Sequence, residues 1–156
     1  MFWSRYPWKK FWNRLSAENV LGFAQNVPCV DCAIAYGAPC EVADEKVMVT
    51  VQLKDGAAFN PDDVYAWYAK QQKEGGMDPK WMPDYIRIID KFTVTDTQKV
   101  IVRPYKRENF NIDKNPDMQI YFKKRGEATY HKLTPEEFNK IKDDFKTNGR
   151  QAILCN

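Results

Sequence analysis

The chain has 156 residues, 44% hydrophobic and 14% aromatic, with 24 basic and 21 acidic side chains for a net charge of +3. That length holds one domain, or one domain and a tail, with apolar material enough for a core. The charge is too mild for a nucleic-acid partner, no run approaches the roughly 18 apolar residues of a spanning helix, and "MFWSRYPWKKFWNRL" is broken by charge where a secretory signal needs an apolar core.

Residues 1–15 hold six aromatic and four basic side chains. Trp8, Phe11, Trp12 and Leu15 recur at helical spacing, with Lys9, Lys10, Asn13 and Arg14 on the other side, which predicts a short amphipathic helix. Such a face suits docking on a protein partner, or peripheral contact with an anionic membrane. Strands are expected over 28–37 and 45–53, joined by a turn around Gly37-Ala38-Pro39. In the second, Val47, Val49, Val51 and Leu53 alternate with Met48, Thr50, Gln52 and Lys54, which predicts one buried face and one wetter face.

Asn60 followed by Pro61, Asp62 and Asp63 predicts a helix start, with a capping side chain, proline in the first turn and acids at the positive end of the dipole. Gly75-Gly76 ends that helix. "PDYIRII" (83–89) reads as a strand, with "KFTVTD" and "KVIVRPY" as strand-like runs behind it. "MQIYFKK" and "ATYHKL" predict a hairpin around Arg125-Gly126-Glu127. Thr134-Pro135-Glu136-Glu137 is a capping box for a last helix carrying Phe138, Ile141 and Phe145 on one face. Strand pairs interrupted by helices predict an α+β fold with a small sheet.

Cys29 and Cys32 form a C-x-x-C pair, but on a strand positions i and i+3 point to opposite faces, which separates the sulfurs. His131 lies about a hundred residues away in another strand-like run. Neither zinc nor a thioredoxin-like site is expected; reduced, partly buried cysteines are.

Three segments together carry a resemblance. "AENV" (17–20) resembles the G-E-N-V turn of adenylate-forming acyl-CoA synthetases, and "CVDCAIAYGAP" (29–39) resembles their strand ending in V-Y-G-x-P, with "DEKVMVTVQLKDG" as the strand that follows. "MDPKWMPDYIRIIDKFTVTDTQK" (77–99) resembles the stretch leading to the lysine that closes the active site, with Pro83, Tyr85, Thr95, Thr97 and Lys99 at the family's positions. The continuation resembles the tail of the very-long-chain, fatty-acid-transport and carnitine-CoA ligase branch. The likeness covers roughly residues 13–149 and corresponds to the C-terminal lid domain alone.

The resemblance implies an α+β domain of small mixed sheets with packed helices over 16–149, an aromatic and basic segment at 1–15 and a tail at 150–156. It implies Lys99 as the lysine of the adenylation step, a cation brought to charge that develops in the transition state. Thr95, Thr97 and Gln98 would form its supporting loop, held by side-chain-to-backbone hydrogen bonds of the two threonines, with Gln98 where the family commonly has a glycine. Ala17, Glu18 and Asn19 form the turn beside coenzyme A, and Lys10 is the hinge candidate. Arg87, Arg103, Lys106 and Arg107 are candidates for coenzyme A phosphates. No metal, ATP or coenzyme A is expected to bind this domain alone; ATP, magnesium and coenzyme A belong to an assembled enzyme with an ATP-binding N-terminal domain. Ala17 stands where the family has a glycine that allows close backbone approach, and the segment after it is shorter by about a turn.

Two functions follow: the lid of an ATP-dependent acyl-CoA ligase, inactive alone, or a non-catalytic interaction module that keeps the fold. A third is a membrane-surface protein held by Trp3, Trp8, Phe11 and Trp12. A cytoplasmic location, with membrane association through 1–15, is expected.

Overall fold

The computed structural model describes residues 18–41, 45–92, 102–124 and 126–155. Five strands make one mixed sheet in the order β1-β2-β3-β4-β5. They are β1 (Val30–Pro39), β2 (Glu45–Leu53), β3 (Tyr85–Ile89), β4 (Gln119–Lys123) and β5 (Tyr130–Lys132). Every neighbouring pair is antiparallel except β2 and β3, which run parallel. A parallel pair needs a crossover, and helix α2 (Pro61–Glu74) supplies it. Helix α1 occupies residues 18–25. Helices α3 (Arg103–Glu108), α4 (Pro135–Thr147) and α5 (Gln151–Cys155) complete the described chain.

Local chemistry sets the helix ends. Asn60 Oδ1 accepts from the Asp62 and Asp63 N–H groups at 3.0 and 3.2 Å, and the Gly75 N–H closes α2 on the Gln71 carbonyl at 2.8 Å. Thr134 Oγ1 accepts from the Glu137 N–H at 3.2 Å, which is half of the expected box. The Glu137 carboxylate instead meets Lys124 at 3.0 Å and Lys140 at 3.6 Å, and the Lys124 hydrogen bond holds it below the usual carboxylate range. The β4–β5 hairpin turns through Gly126 at φ 81°, a conformation open to glycine at little cost.

The sheet is covered on both sides. Met48 and Tyr85 point to one face, where Tyr105, Phe110, Phe138, Phe145 and Leu154 bring α3, α4 and α5 against it. Their neighbours Val49 and Ile86 point to the other, where Val20 and Ala24 of α1 and Val64 and Tyr68 of α2 pack. Phe110 and Phe145 are fully buried, each contributing about 1.5–3 kcal/mol of transfer free energy.

Three expectations change. Gly37, Ala38 and Pro39 are not a turn: they pair with Val47, Lys46 and Glu45 as the end of β1. The expected wetter face of β2 is buried along its middle, with Met48 and Thr50 both at 0% exposure, while Gln52 is half-buried and Lys54, just past the strand, is exposed. Thr50 is tolerated there because Tyr36 Oη lies 2.6 Å from its hydroxyl. Finally, the end of "KVIVRPY" is helical, because Pro104 sits in the first turn of α3, where a missing N–H costs nothing.

Candidate functional site

Lys10, Ala17, Thr95, Thr97, Gln98 and Lys99 lie outside the described residues. What the structure gives is how the chain arrives at and leaves residues 93–101. On arrival, Phe92 is buried at 6% exposure, and its N–H donates to Gln52 Oε1 at 3.0 Å. On departure, Val102 opens α3 and Tyr105 is buried in the same cluster. The two rings meet edge to face, with centroids 5.5 Å apart and planes at 82°. The ends of the segment that carries Lys99 are therefore pinned to each other and to the sheet.

Behind Tyr105 stands Arg87, from the middle of β3. It is 7% exposed, and its Nη1 donates to Glu108 Oε1 at 2.7 Å. The Tyr105 ring centroid lies 5.4 Å from its guanidinium carbon. Arg87 therefore leaves the set of candidate phosphate-binding cations, since it is buried and committed to Glu108. Arg103, Lys106 and Arg107 are exposed on α3. Sequence reasoning missed Glu108; the signal was a charged residue inside the apolar "YIRII", which demands a partner.

Glu18 and Asn19 are exposed at the first described residues of α1. That helix packs through Val20 and Ala24 on the face opposite Phe92 and Tyr105. The described flanks of the two expected sites, Phe92 and Tyr105 for one and α1 for the other, thus lie on opposite faces of the sheet.

The cysteines divide between the two clusters, Cys32 against one and Cys29 against the other, although Cys29 lies in the turn before β1 and the register of β1 shifts between Val30 and Cys32. Burial raises both thiols, helped at Cys32 by the neighbouring Asp31 charge. His131 on β5 has Nε2 3.0 Å from Glu127 Oε1. Among the described residues no three His, Cys, Asp or Glu side chains converge as a metal-ligand set, and no helix is long and apolar enough to cross a membrane.

An open groove of about 1040 Å³ runs past Lys46, Asp84, Tyr85, Phe122, Lys124 and Asp144. Lys46 is paired with Glu41 at 2.9 Å, and Lys124 with Glu137 at 3.0 Å. Among the described residues, neither Glu18 nor Asn19 lines this groove.

No protein-family model matches the chain. Steroid-22-oyl-CoA synthetase of Rhodococcus jostii (strain RHA1) is 26% identical over 148 residues, 92% of this chain and 26% of that protein. The medium/long-chain-fatty-acid–CoA ligase FadD17 of Mycobacterium marinum is 33% identical over 99 residues, 59% of this chain and 19% of that protein. The chain thus spans about a quarter or less of the curated relatives it matches. The crystal structure of a Brucella canis acyl-CoA synthetase superposes on 62% of the chain, and on 18% of its own, with a TM-score of 0.51 and 16% identity. The relatives of this chain are acyl-CoA synthetases and ligases, and its α+β fold is shared with part of such an enzyme.

Proposed function

We propose that this chain is the C-terminal lid domain of an ATP-dependent acyl-CoA ligase, working with an ATP-binding N-terminal domain. The observation that carries this reading is the match to an acyl-CoA synthetase across 92% of the chain. Within that group, the motif likeness supports the very-long-chain, fatty-acid-transport and carnitine-CoA ligase branch.

Such a ligase joins a carboxylate to ATP, releasing pyrophosphate, and then passes the acyl group from the adenylate to coenzyme A. In the first step Lys99 is the cation delivered to the phosphate oxygens, where negative charge moves toward the leaving pyrophosphate. A fixed charge aimed at that position stabilises the transition state more than the ground state. In the second step Glu18 and Asn19 belong to the turn beside coenzyme A. The placement of α1 and of the Phe92–Tyr105 pair on opposite sides of the sheet supports this division of labour. In this reading the lid turns between the steps, so that each face is presented to the cleft in its own step. Magnesium and the acyl pocket are assigned to the N-terminal domain.

Ala17 in place of glycine favours a second reading, a degenerate non-catalytic module that keeps the fold for binding or interaction. Affinity capture from the native source with the purified chain as bait tests both. Recovery of an ATP-binding adenylate-forming domain, and acyl-adenylate formation by the reconstituted pair, is the result expected of a lid. Recovery of unrelated proteins, or of membranes through residues 1–15, contradicts it.

A further inference from the structure

Helix α3 cannot hold its own position. Its six residues are far fewer than the roughly 12–15 at which an isolated helix becomes even marginal. Val102 gives it no side-chain cap, and Tyr105 is its buried residue. Tyr105 and Glu108 stand three apart and share one helix face. Both meet Arg87, whose Nη1 lies 2.7 Å from Glu108 Oε1 and whose guanidinium carbon lies 5.4 Å from the Tyr105 ring centroid. A second group braces the same carboxylate, since Asn115 Nδ2 donates to Glu108 Oε2 at 3.4 Å.

Arg87 is an expensive way to make this contact. Its side chain is 9% exposed and that of Glu108 is 31% exposed, and Arg87 Nε is buried with no hydrogen-bond partner among the described residues. Apolar side chains of similar volume generally serve stability as well as a buried ion pair does. What the charged pair adds is direction, because a charge-assisted hydrogen bond fixes orientation as an apolar contact does not.

Resting on the reading of Lys99 above, we propose that Arg87, through Glu108, is a positioning residue for adenylation: it fixes α3 on β3 and so sets where the chain emerges at Val102, three residues after Lys99. Arg87 itself touches no reacting atom in this scheme.

The test separates position from stability. In the reconstituted ligase, Arg87→Met with Glu108→Leu replaces the pair by apolar side chains. The expected variant melts no earlier than the wild type, loses at least tenfold in ATP–pyrophosphate exchange, and keeps thioester formation from preformed acyl-adenylate. In the purified chain the same variant should exchange the Lys106 and Asn109 amide hydrogens at least tenfold faster, with α2 unchanged. Unaltered exchange of those amides overturns the proposal whatever Lys99 does. So does full pyrophosphate exchange in the apolar variant when Lys99→Ala, assayed beside it, is inactive. If Lys99→Ala is active too, the reading of Lys99 has failed and the role of Arg87 falls with it.

Discussion

Phe92 and Tyr105 meet edge to face at either end of residues 93–104, the stretch that carries the candidate lysine, with ring centroids 5.5 Å apart. Phe92 lies three residues past the end of β3 and Tyr105 belongs to α3, both in one buried cluster. The contact closes a short segment on itself at the cost of two buried rings rather than a covalent link. Aromatic pairs of this geometry add about 0.5–1.5 kcal/mol beyond the area they bury.

Removing that closure should be costly in two ways. Phe92→Ala is expected to lose about 3–5 kcal/mol of stability, read as a lower urea midpoint at unchanged slope. Phe92→Leu keeps most of the volume and should cost less than about 1.5 kcal/mol. If the ring contact matters for function, the leucine variant will lose adenylation out of proportion to its small loss of stability.

The cap on α2 gives a cleaner local test. Asn60→Ala leaves the Asp62 and Asp63 N–H groups without their acceptor. About 1 kcal/mol should be lost, which for a domain of this size lowers the melting temperature by roughly 2–4 °C. Asn60→Asp, which keeps an accepting oxygen, should restore it.

Alkaline pH should unfold the protein through its buried phenols. Burial pushes Tyr36 up to about 12, partly offset by its hydrogen bond to Thr50. Burial likewise raises Tyr68, Tyr85 and Tyr130. Because the folded state binds these protons more tightly than the unfolded chain, their contribution is complete below pH 10 and is lost as pH rises. For Tyr36 the window runs from about 10 to about 12. Phenolate absorbance should show these four of the eight tyrosines ionising only as the fold is lost, and Tyr36→Phe should flatten the pH dependence of stability in that window.

The caps were legible in the sequence because a cap is local: Asn60, Thr134 and Gly75 act on residues within four positions. The end of β1 was not. Gly37 and Pro39 carry the marks of a turn, yet β1 is an edge strand, where proline is tolerated at the margin because no ladder hydrogen bond is needed there. The second face of β2 was misread because period-2 alternation reports a wet face only if no helix covers it. Here Thr50 is a polar residue made safe by Tyr36, fourteen positions away. The candidate site divides similarly. Lys99 and the turn at 17–19 were named from motif order, while the Arg87–Glu108 pair, twenty-one positions apart, depends on which strand α3 packs against.

The role proposed for Lys99 is to stabilise the adenylation transition state. The most direct measurement is ATP–pyrophosphate exchange by the reconstituted ligase carrying Lys99→Ala, with the melting temperature recorded beside it. Expected is a fall of at least about 100-fold, the scale of losing one fixed transition-state charge, with unchanged melting and with thioester formation from preformed acyl-adenylate intact. Exchange at the wild-type rate in a folded variant would contradict it and leave Lys99 as a solvated surface charge.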